Sequence, residues 1–168
     1  MKKLSKIVAL LLAGALTMLL FTACGGGGGS NPEEKEMMQQ IMSSSQGKGI
    51  KENDPGLYQT ALTDLNADIK AHSKKGGVFV GDIHVRGTDP AEEYVTITVT
   101  ADYKVSKLLT DLLNFISKHI GIKYPGVNVD FKADSSWSKA AVVVRSDEYG
   151  TYVAVAFQVK NPNYPKPL

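Results

Sequence analysis

The chain predicts an α+β domain, with a mainly antiparallel sheet of about five strands and helices packed on one face. Three observations carry that expectation. Apolar residues recur every three or four positions over 105–120, the spacing of a helix with one buried face. Val95, Ile97, Val99 and Ala101 alternate with Tyr94, Thr96, Thr98 and Thr100, the period of a half-buried strand. The resulting order is helix, helix, strand, strand, helix, strand, strand, strand, which is that of an α+β domain.

The first helix starts at Asn31-Pro32-Glu33-Glu34. Asn31 is the cap, Pro32 takes the first helical position, and Glu34 is placed to complete a capping box. Met37, Met38, Ile41 and Met42 then share a face, and Ser43-Ser44-Ser45 ends the element. A second start, Asp54-Pro55, leads Tyr58, Ala61, Leu62, Leu65 and Ile69 along one stripe to about His72. Strands are expected over 78–85 and 94–101, joined by Gly87-Thr88-Asp89-Pro90. The strongest helix runs over 105–120, with a stripe of Val105, Leu109, Leu112, Ile116 and Ile120 and a left-handed cap at Gly121. Val127, Val129 and Phe131 alternate with Asn128, Asp130 and Lys132, which predicts a further strand after Pro125-Gly126. Residues 140–145 and 151–160 read as a hairpin around Ser146–Gly150. Asn161 to Leu168 contains three prolines and is expected to form an extended tail. Topologically, a sheet curled round a helix, as in cystatin- or NTF2-type folds, is compatible with this order.

The N-terminus carries a different pattern. Lys2, Lys3 and Lys6 precede the apolar run Ile7–Leu20, 14 residues long, and no acidic residue appears before Glu33. That run has the length of a signal-peptide core and falls short of the roughly 20 residues that span a bilayer. It leads into Leu20-Phe21-Thr22-Ala23-Cys24, which resembles the lipobox of bacterial lipoproteins, with Phe21 where that family usually has Leu. The resemblance covers residues 1–24. It implies cleavage after Ala23, a diacylglyceryl group on the Cys24 sulfur, and a chain held on the extracytoplasmic face of a bacterial membrane. Cys24 is the only cysteine in the sequence, and an exported chain that relied on disulfides would carry cysteines in pairs.

The domain organisation that follows is a signal peptide at 1–23 and a segment at 24–48 holding the lipidated cysteine, a glycine-rich tether and the short first helix. One α+β domain occupies 49–160 and the tail 161–168. Removing residues 1–23 takes away three lysines and no acid. The net charge then falls from +2 to about −1, so no basic surface argues for nucleic acid.

Candidate chemistry is sparse. Asp82 and His84 lie two apart on a strand and project from one face, so they are the candidate metal ligands, without a third at a recognisable spacing. His72 and His119 sit at helix ends, where positive charge is favourable. Ser135-Ser136-Trp137-Ser138 lacks the Gly-x-Ser-x-Gly elbow. The paired acids Glu92-Glu93 and Asp147-Glu148 lie in turns. Trp137, Tyr149 and Tyr152 are the candidate aromatic surface for a sugar or peptide. The helix, Pro125-Gly126-Val127 and the strand ending Tyr152-Val153-Ala154-Val155 resemble small sporulation lipoproteins of Gram-positive bacteria over that stretch, with no functional residue to transfer. No cofactor motif is present. The sequence therefore favours a non-enzymatic binding or structural module with a protein, peptide or glycan partner. The alternative is a small cell-surface hydrolase or metal-dependent enzyme. A deep pocket with converging polar groups would favour the enzyme, and a flat aromatic-rimmed face the binding module.

Overall fold

The computed structural model describes residues 31–73, 79 and 81–165. The expected signal peptide, Cys24 and the expected glycine-rich tether lie outside the described residues. The elements are α1 (Pro32–Ser43), α2 (Pro55–Ser73), β1 (Asp82–Arg86), β2 (Tyr94–Asp102), α3 (Leu109–Lys123), β3 (Trp137–Ser146) and β4 (Thr151–Lys160). Every strand pairing is antiparallel, and the order across the sheet is β1-β2-β4-β3. The α+β class holds, with four strands rather than five. No described helix is long and apolar enough to cross a membrane.

The missing strand is the one expected at 127–131. Phe131 is buried there and Val127 and Val129 are partly buried against the core, but the segment has no ladder partner. Its alternation therefore reports an extended chain lying with one side on the core. A period of two records which side is buried, not whether a neighbouring strand is present.

Helices also cover both faces of the sheet, not one. On one face α2 sets Leu57, Ala61 and Leu65 against Ala141, Val143, Ala154 and Ala156. On the other, α1 and α3 close over Val95, Ile97, Val99, Val142, Val153, Val155 and Phe157. β3 and β4 accordingly read as nearly continuous apolar runs, the mark of strands buried on both sides. The α2 side of the central strands carries their alanines, whereas branched and aromatic side chains line the side beneath α1 and α3.

The first helix belongs to this core. Met37 and Ile41 are fully buried in the same cluster as Leu112 and Phe157, so α1 packs as part of the same core as the elements that follow Gly49. Asn31 caps α1 as expected, accepting from the Glu33 N–H at 3.0 Å. Glu34 does not close a capping box. It is buried and reaches across to accept the Val144 N–H at 3.1 Å. Burial pushes its carboxyl above the usual range, and the Val144 N–H offsets part of that rise. α3 starts at Leu109, later than its apolar pattern suggests, which leaves Val105 and Leu108 exposed in the preceding loop. It continues through Gly121 to Lys123, so Gly121 is not a cap. Asn161, the first residue of the expected tail, is buried, and its Nδ2 meets the carbonyl oxygens of Asp89 (2.8 Å), Glu92 (2.9 Å) and Gly87 (3.3 Å). That side chain ties the end of β4 to the β1–β2 turn.

Candidate functional site

Among the described residues a polar cluster lies between α2 and the β1 side of the sheet. Residues two apart on a strand share a face, so β1 presents Asp82, His84 and Arg86 together towards α2. Gly81, immediately before the strand, has φ 103°, and a Cβ there would fall 2.1 Å from the Thr100 carbonyl oxygen, so this close entry alongside β2 requires glycine. α2 answers with Asp64 and Asp68, four apart on one helix face and both buried.

The contacts are ion pairs and hydrogen bonds with defined partners. His84 Nε2 lies 2.8 Å from Asp68 Oδ2, and the Thr100 hydroxyl donates to the same oxygen at 2.6 Å. Thr100 Oγ1 in turn accepts the Asp82 N–H at 3.0 Å. Arg86 makes a two-pronged bond to Asp64, at 2.7 and 2.5 Å. Lys123, the last residue of α3, donates to Asp82 Oδ1 at 2.5 Å and to the Ile83 carbonyl at 2.8 Å, and the Tyr124 hydroxyl donates to that carbonyl at 3.2 Å. These last bonds cover the open edge of β1.

The protonation states follow from those partners. The hydrogen bond to Asp68 raises the His84 pKa above its ordinary value despite burial, with Asp68, Asp64 and Asp82 adding charge attraction. The bond to Asp64 raises that of Arg86 further. For Asp82, burial pushes the pKa upward, but the Lys123 and Ile83 N–H bonds and the nearby positive charges outweigh it and the net shift is down. Three acidic side chains therefore face Arg86, Lys123 and His84, an arrangement that favours the charged form of the imidazole.

The candidate ligands Asp82 and His84 do converge, and Asp68 is the third group that the sequence reading did not identify. One potential ligand atom from each of the three lies within 4.8 Å of the others. A divalent ion there would have to displace Lys123 from Asp82 and the proton shared by His84 and Asp68. A signal for the third residue was present in the sequence. Ala61, Asp64, Leu65 and Asp68 follow i, i+3, i+4, i+7, so two carboxylates occupy the buried stripe of an amphipathic helix, where charge requires a partner.

The aromatic candidates do not form a surface. Trp137 is 2% exposed, stacks on Phe157 with centroids 4.0 Å apart, and donates Nε1–H to the Phe131 carbonyl at 2.8 Å. Tyr152 is 8% exposed in the cluster beneath α2, edge-on to Phe79, with its hydroxyl 3.2 Å from Asp147 Oδ1. Burial, then the Asp147 charge, raises its pKa. Only Tyr149 is exposed. In the serine loop Ser135 holds φ 56°, and Ser136 Oγ is buried with no partner among the described residues. Neither has a hydrogen bond to a histidine. His119 Nδ1 bonds the Phe115 carbonyl of its own helix, and His72 packs edge-on to Phe79.

Two open grooves of about 270 and 370 Å³ adjoin at the start of α2. The first is lined by residues including Arg86, Thr96 and Gln158, the second by residues including Lys51 and Glu52, and both share Asp54 and Lys139, an ion pair at 3.7 Å. Neither has a histidine or cysteine in its lining. Comparison with family models, curated proteins and solved structures gives no match.

Proposed function

We propose that the chain is an exported lipoprotein held by lipid on Cys24 to the extracytoplasmic face of a bacterial membrane. Its domain acts as a non-enzymatic binding or structural module for a protein, peptide or glycan. The observation that carries the second half is the pairing within the polar cluster. Each of its carboxylates already has a basic partner, Asp64 with Arg86, Asp68 with His84 and Asp82 with Lys123, and of these six residues only Arg86 lines either groove at the start of α2, which supports a structural role for the cluster. The first half rests on the signal-like run and the lipobox ending in Cys24.

Only a sulfur at position 24 can accept the lipid, and two acyl chains make release slow where one gives only reversible binding. Cys24→Ser should therefore abolish incorporation of a labelled fatty acid in the producing cell. The unlipidated chain should appear in the soluble fraction or as uncleaved precursor. Equal labelling of the wild type and the variant would overturn the lipoprotein reading.

A further inference from the structure

Five large apolar or aromatic side chains stand exposed among the described residues: Tyr94, Val105, Leu108, Ile122 and Tyr149. Three of them share one end of the sheet. Val105 (72% exposed) and Leu108 (54%) lie in the β2–α3 connection, and Tyr149 (80%) lies in the β3–β4 turn. The two segments leave the sheet side by side, since Asp102 is in register with Tyr152 and the Tyr103 N–H donates to the Thr151 carbonyl at 2.9 Å.

The chain enters the domain at the same end. Glu34, in the first turn of α1, binds Val144, two residues before β3 finishes. The Tyr103 hydroxyl meets Glu36 Oε2 at 3.3 Å. Gln40 holds the Lys107 carbonyl and the Leu109 N–H at 2.9 and 2.8 Å. α1 thus lies along the loop that carries Val105 and Leu108. From Cys24 to Asn31 is seven residue steps, which span at most roughly 25 Å when fully extended. A lipid on Cys24 keeps this end of the domain near the bilayer.

We infer that this end rests on the lipid surface, with Val105, Leu108 and Tyr149 in the interfacial layer. The inference builds on lipid attachment at Cys24. A single exposed apolar residue needs no explanation, but three gathered at the tethered end do. Aliphatic side chains enter the acyl boundary, and tyrosine is suited to the headgroup level. Lys104 and Lys107, which flank Val105 and Leu108 in sequence, can lay their stems on the apolar layer with their ammonium groups in water. The contact orients the domain and leaves the opposite end, with the β1–β2 turn and Asn161, facing outward.

A chemical tether separates this inference from lipidation in the cell. The mature chain, from Cys24 onward, is coupled through its only thiol to a maleimide phospholipid in phosphatidylcholine vesicles containing brominated acyl chains. Val105→Trp and Tyr149→Trp report the proposed contact, and Ala91→Trp, in the exposed β1–β2 turn, reports the far end. Trp137 is a common buried background. The expected result is bromine quenching of the tryptophans at 105 and 149 at least two-fold stronger than at 91. Equal quenching at all three positions would overturn the inference. A failed fatty-acid label at Cys24 would leave this measurement untouched.

Discussion

Replacing Asn53 by alanine should cost roughly 2–5 kcal/mol of unfolding free energy, since each buried polar group left unpaired costs about 1–3 kcal/mol. Asn53 sits just ahead of α2 and acts as a one-residue substitute for a neighbouring strand. Its Oδ1 accepts the Val142 N–H at 2.9 Å and its Nδ2 donates to the Val142 carbonyl at 2.9 Å. Val142 is fully buried, so water cannot take over either bond without opening the fold. Glu34 covers the next outward-facing N–H, that of Val144, and the Asp54 N–H pairs with the Ala140 carbonyl. Together these bonds close the outer edge of β3, which would otherwise be a template for pairing with another chain. Urea unfolding measures the effect, and Asn53→Ala should also raise the tendency to self-associate. A loss below about 0.5 kcal/mol, the range of ordinary surface substitutions, would mean the edge is not held this way.

Leu112→Ala should cost about 2–5 kcal/mol, the span observed for buried leucines whose cavity collapses only in part. Leu112 is fully buried in the first turn of α3, on the stripe between Leu109 and Ile116, and packs in the cluster that α1 and the sheet share. Against a total stability of roughly 5–15 kcal/mol, either change is a large fraction of the whole. Asp111→Ala, one residue away on the exposed side of the helix, should stay within about 0.5 kcal/mol. Equal urea midpoints for the two variants would contradict the buried-helix arrangement.

Features set by local physics are legible in the sequence. The Asn31 and Asp54 caps, the apolar stripe of α2 and the alternation of β2 each need only a few neighbouring residues, and all four appear in the structure. Longer-range features were less legible. The 127–131 alternation looks like a strand because an extended chain on a core and a paired strand bury the same side chains. Val105 extends the α3 stripe on paper, but the helix begins only at Leu109, where Gln40 of another helix supplies the first N–H partner. Glu34 has the spacing of a capping box and is instead spent on Val144, a residue 110 positions away. The same holds for the polar cluster. Asp82 and His84 could be picked out together by strand period, whereas Asp68 joins them only through the packing of α2 over β1 and β2.

On the proposed reading this cluster is a structural framework rather than a metal or catalytic centre, and His84 gives the most direct test. Its pKa is raised in the folded chain, so the Asp68 pair contributes stability that is full below the unfolded value, roughly 6.5. That contribution is lost as pH rises through the folded value. Asp64, Asp68 and Asp82 face the imidazole, and subtracting the His84→Gln profile removes contributions common to both chains. Unfolding free energies of wild type and His84→Gln, measured from pH 5 to 9 with and without Zn²⁺, decide the matter. The framework account predicts a wild-type advantage that shrinks with rising pH and is the same in both series. A zinc-dependent gain in stability at neutral or higher pH that disappears in His84→Gln would contradict it.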